Sequence, residues 1–125
     1  MAQQCENEIY IIDSLSINGE PLAIEQGSAS IENWLGFELE ALPAASGPSF
    51  SKRKKVTPMI KAKLMFGATT DPEALKAVCC DQIVLTQFST GKRVRVLRAS
   101  IAKAGAIGTG VVDVDFLCHT EPQWV

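Results

Sequence analysis

Residues 56–66 read VTPMIKAKLMF, and their alternation decides the fold class. In an extended chain Val56, Pro58, Ile60, Ala62, Leu64 and Phe66 fall on one side. Thr57, Lys61 and Lys63 fall on the other, where Met59 and Met65 join them. A period of two marks a β-strand with one face on a core and the other toward water. The period returns near the C-terminus, where Val112, Val114 and Phe116 point inward and Asp113 and Asp115 outward. Between these stretches Gln82–Phe88 is a mostly apolar strand, and Ser89-Thr90-Gly91 makes a hairpin turn. Lys92–Ala99 returns with Arg93 and Arg95 opposite Val94 and Val96.

Working outward, the Ile-rich Glu8–Ile17 is expected as a strand. The following Asn18-Gly19 signals a tight hairpin, because both residues tolerate positive φ. Pro21–Glu25 is the returning strand, and Ser28–Glu32 is half-buried. One helix is expected over about 71–80. Thr70 or Asp71 caps it, Pro72 and Glu73 suit its first turn, and Leu75, Val78 and Cys79 form a buried stripe. Residues 33–55 contain Gly36, Pro43, Gly47 and Pro48 and little regular pattern, so they read as a long extended hairpin loop projecting from the body. Its apolar side would be buried only against another copy. The fold class is therefore mainly β (α+β): an antiparallel β-sandwich or barrel of about seven strands with one short flanking helix.

A chain of 125 residues is one domain, 1–125, large enough to bury a core without staples. Segments 1–7 and 119–125 are expected as flexible extensions. With 46% hydrophobic and 21% charged residues the composition is globular, and no apolar run is long enough for a membrane-spanning helix. The opening MAQQCENEIY has no basic or apolar targeting region, so no secretory signal is expected. Cys5, Cys79, Cys80 and Cys118 lack C-x-x-C spacing and read as reduced, mostly buried thiols.

Charge is segregated along the chain. Residues 1–50 carry −8, residues 51–103 carry +9 with all 12 Lys and Arg, and residues 104–125 carry −3. Either the fold keeps opposed surfaces, suited to self-association or a polyanion, or it intermixes the segments and erases the pattern.

Catalytic chemistry finds no support. The single histidine, His119, adjoins Cys118 on a strand, where neighbours point to opposite faces. There is no metal-ligand spacing and no phosphate-binding loop, since the glycines at 105, 108 and 110 precede a strand. No catalytic residue, metal or cofactor is expected, and the chain does not read as an enzyme. The bases Lys52, Arg53, Lys54, Lys55, Lys61, Lys63, Arg93, Arg95 and Arg98 allow a second reading, a small β-barrel binding nucleic acid through segment 52–63. Against it, these strands carry almost no exposed aromatic on which bases could stack.

Several features in order resemble bacteriophage tail tube proteins, in particular the short ones of Mu-like contractile-tailed phages. They are Ile17-Asn18-Gly19 with Pro21-Leu22, Gly27–Ile31, a long loop, the Met59–Leu64 strand, the Thr70-Asp71 helix start with Leu75, Thr90-Gly91-Lys92, and Gly110–Phe116. The resemblance runs over about residues 8–118. It departs at Asn33-Trp34-Leu35-Gly36, where the family pattern has a Gly-Gly pair and an Arg.

The resemblance implies a structural virion protein with a β-sandwich and flanking helix, forming hexameric rings stacked into a tube inside a contractile sheath. Implied partners are further copies, the sheath, the tape-measure protein and genomic double-stranded DNA in the lumen, and the baseplate and tail terminator. The protein would reside in the virion after assembly in the host cytoplasm. A related alternative is the tube of a contractile injection or secretion system. Acids lining the bore would repel phosphates, and the candidates are Glu25, Glu32, Glu38, Glu40, Asp113 and Asp115. Contact candidates between subunits or rings are Trp34, Phe37, Leu39, Leu42, Lys52, Arg53, Lys54 and Lys55.

Overall fold

A computed structural model describes residues 8–48, 50–67 and 72–125. Its centre is an antiparallel ladder between β6 (Met59–Met65) and β9 (Val111–Cys118). Ile60 faces Phe116, Ala62 faces Val114 and Leu64 faces Val112, all on the core side and all buried. The alternation legible in the sequence is thus the one that packs.

The remaining strands extend this pair on both sides. β1 (Ser14–Ile17), β2 (Glu20–Leu22), β3 (Ser30–Glu32), β7 (Asp81–Thr86) and β8 (Arg93–Ala104) give the order β2-β1-β7-β8-β9-β6-β3. The β1–β2 turn is the expected Asn18-Gly19, with φ of 52° and 86°. Asn18 Oδ1 accepts the Gln82 N–H at 3.1 Å and ties this turn to β7. After β2 the chain crosses to the far side of the sheet, where Ile24 bridges Leu64 of β6. The sheet therefore folds over its own core, sandwich-like, without closing as a barrel.

β8 makes this folding possible. It is 12 residues long, and one extra residue is inserted relative to β7 before Ala99 and another relative to β9 after Ile101. Bulges bend a strand and sharpen its twist, so β8 pairs β7 along its first half and β9 along its second. Residues 119–125, for which the sequence offered only a flexible extension, carry β10 (Gln123–Trp124), which pairs with Arg95 and Val94 of β8.

Other expectations are corrected. The strand expected over Glu8–Ile17 is only β1, because residues 8–13 clasp the β7–β8 turn through Gln87, Phe88 and Ser89 instead of entering a ladder. The helix, expected over about 71–80, is α1 (Pro72–Lys76), and its expected caps Thr70 and Asp71 lie outside the described residues. After so short a helix Val78 is buried, but Cys79 leaves the helical stripe and is exposed, as is Cys80 at φ 57°. Two cysteines read as buried are therefore on the surface, and Cys118 alone among the described ones is buried.

Burial pushes the Cys118 thiol up to about 11, from an ordinary value of 9.0. The native state holds this proton where the unfolded state has released it, so this group's contribution to stability is lost as pH rises from about 9 to about 11. In a Cys5→Ser background an aromatic disulfide reagent at pH 8 should titrate Cys79 and Cys80 promptly and Cys118 only after denaturation. Phe116→Ala should cost about 3–5 kcal/mol in urea unfolding, because it empties the middle of the core.

Candidate functional site

The segment from 33 to 55 is more regular than its composition suggests. β4 (Phe37–Leu42) and β5 (Phe50–Lys55) form a separate two-stranded sheet. The hairpin starts at a tight turn in which the Gly36 N–H donates to Asn33 O at 2.9 Å. Gly36 O in turn accepts the Val56 N–H at 3.1 Å. Asn33 at φ 56° and Gly36 at φ 79° redirect the chain away from the main sheet. The expected projecting hairpin is present, with real strands in place of a loop.

Its register sorts the contact candidates onto two faces. One face pairs Phe37 with Lys55 and Leu39 with Arg53, whose guanidinium lies 4.1 Å from the centroid of the Phe37 ring. The other pairs Glu38 with Lys54, Glu40 with Lys52 and Leu42 with Phe50. Phe37 is half-buried, while Leu39, Leu42, Lys52, Arg53, Lys54 and Lys55 are exposed, with Trp34 exposed in the turn below. Phe50, which the sequence reading did not single out, is 67% exposed and stands beside Leu42. The signal was present in 41–50, ALPAASGPSF, which contains no charge.

The acids expected at a lumen stand opposite bases or in solvent. Glu32 pairs with Lys61 at 3.4 Å. Asp115 stands opposite Lys61 on β6 and Lys103 on β8, and Asp113 stands opposite Lys63. Glu38 and Glu40 face Lys54 and Lys52. Glu25 is exposed, and its backbone N–H donates to Lys63 O at 2.8 Å. Of the two readings left open by the charge pattern, intermixing describes these surfaces: segments opposed in sequence meet across strand ladders.

His119 Nε2 lies 2.8 Å from Ser100 Oγ, and that hydroxyl also accepts the Cys80 N–H at 3.0 Å. The pair fastens the turn after α1 to the end of β9. Among the described residues no group of His, Cys, Asp and Glu could hold a metal ion. No described helix is long and apolar enough to cross a membrane.

One surface was missed in the sequence. Ile9, 75% exposed, Ile11 and Phe88, 70% exposed, lie where segment 8–13 clasps the β7–β8 turn. The Ile-rich run reads as a strand, and its alternation of Tyr10 and Ile12 against Ile9 and Ile11 carries the signal.

The fold has known counterparts. It is similar to a chain in the cryo-EM structure of the sheath/tube terminator of PVC, an extracellular contractile injection system, in the extended state. The TM-score is 0.68 at 9% identity, and 99% of each chain is covered. A chain of the anti-feeding prophage tube-terminating cap matches with a TM-score of 0.65 at 13% identity, over 98% of this chain and 95% of that one. A chain of the PVC sheath–tube complex in the extended state matches with a TM-score of 0.65 at 13% identity, over 96% and 93%. No protein-family profile and no curated protein sequence matches the chain. The fold is thus one also found in components of extracellular contractile injection systems. These structures are of injection particles and not of the Mu-like tube family.

Because Leu42 and Phe50 are exposed, Leu42→Ser combined with Phe50→Ser should leave the folding free energy within about 0.5 kcal/mol per site. Urea unfolding with matched m-values is the check.

Proposed function

We propose that the protein is a structural, non-enzymatic subunit of the tube layer of a contractile, phage-tail-like particle, forming hexameric rings that stack inside a sheath. The observation that carries this reading is a hairpin detached from the main sheet that presents Leu39, Leu42 and Phe50 to solvent. A fold shared along nearly the full chain with components of contractile injection particles supports it. Exposed strand edges on such a hairpin attract further strands, and a closed ring is the arrangement that satisfies them without open-ended aggregation.

In this reading Trp34, Phe37, Leu39, Leu42 and Lys52–Lys55 make contacts between subunits or rings. The face formed by β3, β6 and β9 turns toward the bore, presenting Glu32, Asp113 and Asp115, each beside a lysine. Such a wall grips phosphate weakly, because its lysines are already matched by carboxylates. Double-stranded DNA, or the tape-measure protein before it, passes without sequence-specific binding. The sheath, baseplate and terminator are the outer partners, and assembly takes place in the host cytoplasm.

A second reading is a terminator or cap subunit that closes such a tube. It is favoured by two of the three matched structures, which are of terminating assemblies. Negative-stain microscopy of the untagged protein across concentration separates the two. A tube subunit gives hollow tubes of variable length, whereas a terminator gives single rings that do not stack. The Leu42→Ser, Phe50→Ser variant should remain folded and lose these assemblies. A persistent monomer that binds duplex DNA with steep salt dependence, lost on neutralising Lys52–Lys55, would instead establish the nucleic-acid reading.

A further inference from the structure

The outward side of the main sheet is charged unevenly. Over β6 and β9, Lys61 and Lys63 stand beside carboxylates. Over β1, β7 and β8 the bases have no such neighbours. Leu15, Ile83, Leu85, Val94 and Val96 are buried, so alternation turns Ser14, Ser16, Val84, Thr86, Arg93, Arg95 and Leu97 to the opposite side. Pairing sets them in two rows across the strands, Ser14–Thr86–Arg93 and Ser16–Val84–Arg95–Gln123. Neither row contains an aspartate or glutamate.

The acids at the ends of these strands are engaged elsewhere. Asp13 Oδ2 accepts the Phe88 N–H at 2.8 Å, and Asp81 Oδ2 accepts the Cys79 N–H at 3.3 Å. Among the described residues neither arginine has a carboxylate within 4 Å, and the hydroxyls of Ser14, Ser16 and Thr86 make no hydrogen bond to protein. Arg95 Nη2 reaches Gln123 Oε1 only at 3.4 Å, and its Nε is buried without a partner. A guanidinium is a planar fork of donors suited to receiving a carboxylate through two parallel bonds. This face therefore offers two such forks and a row of free hydroxyls, with no acceptor of its own to satisfy them.

We propose that this face docks an acidic, extended segment of a partner protein. Carboxylates two residues apart would meet Arg93 and Arg95, and an apolar side chain two residues further on would meet Leu97, which is 42% exposed. Alternate side chains of any extended chain are about 7 Å apart, so a segment lying along β8 keeps step with these three positions. The unneutralised charge selects an acidic occupant. Leu97 and the lack of any aromatic in the two rows favour a peptide over nucleic acid, whose bases would need a stacking platform. The site uses no residue of the β4–β5 hairpin, so it goes beyond the self-assembly reading and stands or falls apart from it.

The test uses the full chain and a fluorescein-labelled peptide, Gly-Glu-Thr-Glu-Thr-Leu-Gly, with photo-leucine at its leucine in a second preparation. Fluorescence anisotropy should show saturable binding that weakens about threefold or more between about 50 and 200 mM salt. Photocrosslinks should map to the peptides holding Val84–Thr86 or Arg93–Leu97. Arg93→Glu with Arg95→Glu should lower the affinity about tenfold or more and should bind the counterpart peptide carrying lysine for each glutamate. That exchange of preference is something an unfolded variant would not show. Absence of binding at millimolar peptide, equal binding of a glutamine-for-glutamate peptide, crosslinks mapping elsewhere, or failure of the charge exchange overturns the site. Tighter binding of a short DNA duplex, lost in the same variant, assigns the face to nucleic acid and overturns the peptide as its occupant.

Discussion

The seven-pair ladder between β6 and β9 holds the rest of the molecule in place. Its inner positions interleave Ile60, Ala62 and Leu64 with Phe116, Val114 and Val112, while its outer positions set Lys61 and Lys63 opposite Asp115 and Asp113. A slip of one residue would turn the apolar set to water and the charged set into the core, so hydrophobic burial fixes the register strongly. The next strands of the main sheet are then placed by the edges of this pair. β3 and the Ile24 bridge take the free edge of β6, and β8 takes that of β9.

The bent β8 distributes order unevenly. Its first half serves β7 on one edge and β10 on the other, so the C-terminal segment is anchored by pairing at the same end of the molecule where residues 8–13 are held by side-chain hydrogen bonds. The hairpin shares in none of this. It leaves through a turn with two positive φ values, makes its own ladder, and contributes no residue to the core. A domain of this size that can bury Phe116 and Leu15 completely has no need to leave Phe50, Leu42 and Leu39 in water for stability. The proposed contact surface rests on this exposure of large apolar residues on one projecting element.

What was legible in the sequence follows from the range over which each signal acts. Alternation in β6 and β9 and the Asn18-Gly19 turn are local and were read correctly, because two-residue periodicity and positive φ need no knowledge of distant partners. Residues 8–13 were misread because their alternation suits a strand, whereas their partner is a turn reached through Gln87, Phe88 and Asp13. Cys79 was misplaced because the helical stripe was carried beyond Lys76, where the helix ends. β10 is two residues long, and no local pattern announces a pairing of that length. At the candidate site the projecting hairpin was legible from composition. Its faces were not, since they depend on register across a turn centred on Pro43–Pro48.

Charge shows most clearly why linear pattern and surface differ. Eight acids followed by twelve bases suggested two opposed poles. Antiparallel pairing brings positions far apart in sequence directly opposite one another, and it sets Glu38 against Lys54, Glu40 against Lys52, and Asp113 against Lys63. An opposite-charge pair across a ladder contributes only about 0.2–1 kcal/mol, so these pairs do not hold the fold together. Their consequence is for the field outside it: alternating charges cancel within about one Debye length, roughly 8 Å in physiological salt. A bore built from the β6–β9 face would owe its smooth passage to cancellation at the wall and not to repulsion. That demands less of the assembly, because rings with matched faces can stack without placing like charges against each other.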